Sequence, residues 1–343
     1  MDMNRKLLLE QIKIFPKTDL HRHLEGSILP ETFVEIARKY GGDLPAYEVE
    51  ALRPLIQVVD DPPSFQNFLS KFKVFRCFYP CLAAVEEIAF RAVQNAAEDG
   101  VRYLELRYSP THFACSERFS EGDVVHCVSG AIARASKSFD IIVAPILTIS
   151  RDYGVATAEQ TVAMIASLPP GSFYGLDLAG DEVNNNAHPY ARLFALAKQA
   201  GLGLTIHAGE AGGAANVRQA VEEFHADRIG HGIRAVDDAD VVELLRKKNI
   251  LLEVSLTSNC HTGVVASMKE HPIKQLMQQK VPLNLNTDDP AISGITLTDE
   301  YVSAIQELGV TREDLKALNR TALDHAFYPD KKELKRKLAH LWD

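Results

Sequence analysis

Beyond Gly100 the chain settles into a regular alternation of short apolar runs and longer stretches of helical period, and no other feature restricts its fold as tightly. That rhythm belongs to a parallel sheet with helical crossovers. It predicts strands at Val101 to Tyr108, Ile141 to Thr148, Phe173 to Ala179, Gly203 to Ala208, Arg228 to His231, Ile250 to Ser255 and Val281 to Asn286. One more strand follows Pro16 and ends on His21 and His23, making eight. Eight parallel strands suggest an α/β fold of the (β/α)8 TIM-type barrel class, whose active site lies at the C-terminal ends of the strands. An open doubly wound sheet would carry a glycine-rich phosphate loop near its first strand, and none stands there.

Ahead of Gly100 the pattern is helical. Residues 4 to 12 read as a short amphipathic helix, and Ser27-Ile28-Leu29-Pro30-Glu31 reads as a helix start with Ser27 as N-cap. Glu31 to Tyr40, Ser64 to Phe78 and Ala83 to Asp99 follow as helices. The expectation is one barrel domain over residues 1–343, with residues 27–99 a helical insertion or lid over the site. A chain of 343 residues, 46% hydrophobic and 24% charged, can bury the core this requires. Its net charge of −9, without a Lys/Arg cluster interleaved with aromatics, lacks the footprint of a nucleic-acid binder and suits a small neutral or cationic substrate. Cys77, Cys81, Cys115, Cys127 and Cys260 are odd in number and form no CxxC pair, which argues against a disulfide framework or a thiolate zinc cluster and for a reducing compartment. The start, MDMNRKLLLEQIKIF, is too poor in apolar residues for a signal-peptide core or a membrane span. A cytoplasmic protein without a membrane partner is expected.

Only polar residues at strand C-termini can face the site of such a barrel. His21 and His23, one residue apart on a strand, present their imidazoles to the same side. Arg107 and Ser109 end the second strand, Asp177 with Gly180-Asp181-Glu182 the fourth, and His207 with Glu210 the fifth. His231 ends the sixth, Ser255 and Ser258 the seventh, and Asp288 and Asp289 the eighth. Buried alone, such groups are costly, so a ring of them needs a shared counter-charge, which a divalent cation supplies. Three imidazoles and a carboxylate without thiolate favour zinc over calcium or magnesium, although iron, cobalt or manganese suit a similar site. A two-metal site would need a bridging group near the middle strands, often a modified lysine, and Tyr174 to Gly180 contains none. One Zn2+ per chain is therefore expected, beside a water whose pKa such an ion lowers from 15.7 to about 7.

PKTDLHRHLEGS, YLELRYSP, LDLAGDE, TIHAGE, RIGHG, LTSN and LNTDDP, in this order, together resemble the adenosine deaminase family of the amidohydrolase superfamily. The resemblance implies that His21, His23, His207 and Asp288 hold zinc. It implies that Glu210 protonates the purine ring nitrogen beside the carbon under attack, and that His231 orients and deprotonates the water. Asp289 is implied to hold that water and the imidazole-ring side of the purine, and the Gly180 N–H to bind another ring nitrogen. The chemistry asks for such an acid independently, because hydroxide addition destroys aromaticity and a proton must reach the ring as the nucleophile arrives. Asp289, just before Pro290, also fits a helix N-cap. Phe65, Phe68, Leu69 and Phe72 recur at the spacing of a helix core face, and by resemblance their segment forms an apolar gate over the substrate.

On the substrate side, with His23, the family commonly has HLDG, its aspartate near the ribose 5′-hydroxyl. This chain has His23-Leu24-Glu25-Gly26, and related adenine deaminases commonly carry glutamate there. LDLAGDE and the LTSN-to-LNTDDP region look like the nucleoside branch. The expected reaction takes adenosine and 2′-deoxyadenosine to inosine and 2′-deoxyinosine plus ammonia. Adenine or 6-aminodeoxyfutalosine are alternatives within the family, and a non-catalytic nucleoside-binding protein is the alternative outside it. That last reading would be marked by loss of a ligand or of the acid, and all the expected groups are present. A cytidine-deaminase site would need H-x-E followed by P-C-x-x-C, which this chain lacks.

Overall fold

The computed structural model describes residues 3–76, 78–114 and 118–343, so Cys77 and Cys115 lie outside the described residues. Eight strands run parallel in sequence order around one sheet: β1 (Lys17–His23), β2 (Val101–Tyr108), β3 (Ile142–Ser150), β4 (Gly175–Ala179), β5 (Gly203–Ala208), β6 (Arg228–His231), β7 (Leu251–Val254) and β8 (Leu283–Leu285). Closure comes just past β8, where the Asp288 N–H donates to the His21 carbonyl at 2.8 Å and the His23 N–H to the Asp288 carbonyl at 2.9 Å. Lower on the seam a side chain replaces the ladder, and Asn286 Oδ1 accepts the Leu20 N–H at 2.8 Å. The chain thus forms the (β/α)8 barrel that its rhythm predicts, and the strand limits agree within two residues.

Strands buried on both faces read as apolar runs, which is why they were visible. The barrel interior is nevertheless charged: Glu105, Arg107, Asp177, Arg228 and Glu253 are all fully buried. At the N-terminal mouth the Phe327 ring occupies the place of two missing side chains. A Cβ on Gly175 or Gly203 would lie 2.6 or 2.3 Å from it, and so β4 and β5 begin with glycine.

Between β1 and β2 the chain is helical, over Pro30–Tyr40, Val49–Ile56, Phe65–Ser70, Phe72–Arg76 and Leu82–Glu98. The helix expected over residues 64–78 is divided at Lys71. Its N–H turns to the Phe68 carbonyl at 3.1 Å, and its buried ammonium donates to the Pro54 carbonyl at 2.8 Å and to Asp61 at 2.9 Å. Ser27 is not an N-cap either. Leu29 holds that position, and Ser27 Oγ donates to the His23 carbonyl at 2.6 Å. These helices are tied to the C-terminal rim of the barrel, through Gln66 on Asp181 at 2.8 Å and the Ser64 N–H on the His261 carbonyl at 3.0 Å. Among the described residues no helix is long and apolar enough to cross a membrane.

The Asn286 side chain stands in for ladder bonds, so Asn286→Leu leaves the buried Leu20 N–H unpaired. Its stability should fall by about 1–3 kcal/mol, read as a lower urea midpoint at unchanged slope; an unmoved midpoint contradicts this role.

Candidate active site

His21 leaves β1 with Nδ1 2.8 Å from Glu253 Oε2. Burial opposes the Glu253 charge, but Arg107 and Arg228 outweigh it and hold the carboxyl well below its ordinary range. An ionised Glu253 requires the proton on His21 Nδ1, which leaves Nε2 buried, without a hydrogen-bond partner and 3.2 Å from Asp288 Oδ1. Two electron-rich atoms face each other there, a contact that only a positive charge makes favourable. Against burial and Arg107, the carboxylates of Asp288 and Glu253 raise the His21 pKa, so the position attracts a cation, be it a proton or a metal.

The same pattern recurs at β5. His207 Nδ1 lies 2.9 Å from Asp177 Oδ1, and against burial the His207 imidazole and the Arg107 guanidinium hold the Asp177 carboxyl well below its ordinary range. His207 Nε2 is 3.3 Å from His23 Nε2, which lies 3.5 Å from Asp288 Oδ1. Ligand atoms of His21, His207, His231 and Asp288 all fall within 4.8 Å of one another, as do those of His23, Asp177 and His207 and those of His23, Asp288 and Asp289; each group could hold a metal ion. The donors are nitrogen and oxygen without thiolate, which fits zinc or a similar ion. Asp288 is further held by Ser258 Oγ at 2.7 Å. His231 and Asp288 both have left-handed φ, 59° and 61°, a costly conformation that turns their side chains inward.

Above the cluster is a cavity of about 150 Å³, lined by His23, Glu25, Phe65, Phe68, Leu69, Phe72, Gly180, His207, Glu210, His231, Asp288 and Asp289. The expected substrate-side residues are therefore brought together, with His21 beneath them. His112, Thr148, Ser150, Asp152 and Tyr153 also line it and were not foreseen. The last three were hidden because β3 runs two residues past its expected end at Thr148. Glu210 is pushed well above the carboxylate range by burial, then by Asp288 and Glu182, which favours its protonated form. Asp289 is raised in the same way by burial and Asp288. Glu25 is pushed up to about 8 by burial, although its Oε1 accepts the Ser109 N–H at 2.7 Å. Asp289 sits at an N-cap position, yet its side chain makes no capping bond.

Other strand-end residues serve the scaffold. Arg107 lies under the cavity, linking Glu253 at 2.7 Å to Asp177 at 3.4 Å. Glu182 grips the turn that carries Glu210: its carboxylate accepts the N–H groups of Gly209 at 3.0 Å, Glu210 at 2.7 Å and Gly212 at 2.8 Å, and the Asn216 amide at 3.0 Å.

A parallel barrel that gathers imidazoles and carboxylates at its C-terminal rim has the form of a (β/α)8-barrel enzyme. Comparison with known proteins makes the class specific. The family model described as adenosine deaminase matches residues 16–341. The adenosine deaminase of Aliivibrio fischeri (strain MJ11) is 40% identical over 319 residues, 93% of this chain and 96% of that one. Among solved structures, the adenine deaminase of Arthrobacter aurescens is similar at 26% identity and a TM-score of 0.85, over 95% of this chain and 98% of the other. An Arabidopsis N6-mAMP deaminase is similar at 27% and 0.85, over 97% and 99%. The chain belongs to the adenosine deaminase family, and it is a hydrolase of that type.

The three backbone N–H groups that Glu182 accepts lie on one turn, so Glu182→Gln sets an amide N–H against them. Amide hydrogen exchange at Gly209 to Gly212 should accelerate by on the order of tenfold or more, given about 1–3 kcal/mol for a buried group left unpaired. Unchanged protection of these amides would show that the turn holds itself.

Proposed function

We propose that the protein hydrolyses adenosine and 2′-deoxyadenosine to inosine and 2′-deoxyinosine, releasing ammonia, with one Zn2+ per chain held by His21, His23, His207 and Asp288. The observation that carries this reading is that Glu210, whose burial favours its protonated form, lines the same cavity as an imidazole–carboxylate cluster that could hold a metal ion. When bound, the ion supplies Lewis acidity and lowers the pKa of a water. Glu210 gives its proton to a purine ring nitrogen as the ring loses aromaticity. His231 and Asp289 orient the attacking water, Asp289 also meets the imidazole-ring side of the purine, and the Gly180 N–H meets another ring nitrogen. Glu25, whose Oε2 is buried without a partner, meets the sugar 5′-hydroxyl. Phe65, Phe68, Leu69 and Phe72 keep bulk water from the reacting atoms, and residues 27–99 act as the lid of one catalytic domain.

The cavity also supports rejection of a phosphate. Glu25, Asp152, Glu210, Asp288 and Asp289 line it, and its described lining includes no lysine or arginine. A 5′-phosphate beside the Glu25 carboxyl would find no cationic side chain in that lining to receive it. Free adenine is the second reading, favoured by glutamate at position 25 and by the likeness to an adenine deaminase.

Ammonia release from adenosine, 2′-deoxyadenosine, adenine, adenosine monophosphate and 6-aminodeoxyfutalosine tests the assignment. The two nucleosides should give the highest kcat/KM, with no detectable turnover of the monophosphate. A faster reaction with adenine would overturn the nucleoside reading, and no ammonia from any compound would overturn the activity. Glu210→Gln should keep fold and metal yet lose on the order of 10²–10⁴ in rate; a mutant above roughly a tenth of wild type removes Glu210 as the acid.

A further inference from the structure

We propose that His271 and Asn259 hold His231 as its Nε2–H tautomer, so that His231 enters the proposed deamination as a hydrogen-bond donor and not as the acceptor of the water's proton. The tautomer follows from a backbone group that can only donate. The Ile273 N–H points at His271 Nδ1, 3.2 Å away, so that nitrogen must carry a lone pair. The proton of His271 is then on Nε2, and burial, which lowers the pKa of this ring to about 3, keeps the ring neutral. His271 Nε2 lies 3.2 Å from one end of the Asn259 amide, which must be the acceptor Oδ1. The other end, Nδ2, therefore faces His231 Nδ1 at 3.2 Å and donates to it. With a lone pair on Nδ1, the His231 proton sits on Nε2. His271, Asn259 and His231 are 4%, 0% and 1% exposed, so solvent has no access with which to reverse the chain of bonds.

His231 Nε2 is the atom turned to the site, 3.6 Å from Glu210 Oε2 and 3.9 Å from Asp288 Oδ2. Two consequences follow from a proton there. A nitrogen that bears hydrogen has no lone pair for a cation, which removes His231 from the possible metal group its position alone allows. Nor can it accept a proton from water: His231 holds that water's oxygen, and the proton goes to Asp288, the neighbouring carboxylate held ionised. His271 and Asn259 line no part of the cavity and act through His231, as positioning residues.

The role rests on the proposed deamination, whereas the direction of the hydrogen bonds does not, and nitrogen NMR separates the two. In protein labelled with 15N at histidine, metal-free and zinc-loaded, the His231 signals are identified by their loss in His231→Ala. The expected spectrum has a pyridine-type Nδ1 and a pyrrole-type Nε2 with its attached proton, in both states. A proton on Nδ1, or an Nε2 signal that moves to a metal-bound position on zinc loading, overturns the proposal. Asn259→Leu should release the restraint, mixing the tautomers and lowering kcat by on the order of tenfold or more at unchanged KM and zinc content. An unaltered tautomer or kcat in that variant would overturn the positioning role, and the wild-type spectrum decides the tautomer even where the variant does not fold. Wild-type protein that shows the expected spectrum but deaminates no nucleoside would overturn the proposed activity and the part His231 plays in it, while the tautomer stands.

Discussion

One buried carboxylate sets the orientation of the site. Glu253 accepts His21 at 2.8 Å and Arg107 at 2.7 Å on one oxygen, and Thr205 at 2.9 Å and Arg228 at 2.7 Å on the other. With four donors the charge is stable in a fully buried position, and loss of one partner from such a buried network costs about 3–5 kcal/mol. Through Arg107 it is coupled to Asp177, which orients His207, and through Arg228 to Glu105 and the Phe327 plug. The imidazoles of β1 and β5 are thus aimed by carboxylates that share a guanidinium. The ion chain filling the barrel holds them before any cation arrives, which spares the site the reorganisation that binding would otherwise require.

What the sequence made legible follows from cost. Parallel strands covered on both faces leave uninterrupted apolar runs, and ionisable groups that end such runs are too expensive to be accidental. His21, His23, His207, Asp288, Glu210 and Asp289 were visible for that reason, and the ordered tags of the family added their roles. Glu253 and His271 were not visible, and Asn259 stood out only as the last residue of the LTSN tag. Glu253 and His271 are single polar residues with no periodic context, and Glu253 works with partners on other strands: His21, Arg107, Thr205 and Arg228. A lone glutamate inside the apolar β7, Leu251–Val254, was the one available signal. The break at Lys71 and the failed cap at Ser27 have the same origin, since tertiary anchors overrode signals that were locally sound.

The electrostatics of the rim divide the acids by neighbour rather than by type. Asp288 is ionised because imidazoles and the Ser258 hydroxyl surround it, while Asp289 and Glu210 are raised by burial and by its charge. Burial that favours the uncharged forms of Glu210 and Asp289 suits a neutral ring system as the guest, and the apolar side chains of Phe65, Phe68, Leu69 and Phe72 complete that preference.

The central claim is that the imidazoles and Asp288 form a site for one metal ion. Zinc-edge X-ray absorption on protein stripped of metal and then reconstituted, with the ion quantified on the same sample, tests it most directly. The account predicts one zinc per chain, bound by nitrogen and oxygen donors that include three imidazoles, with no sulfur. Two ions per chain, a sulfur shell, or no retained ion would contradict it.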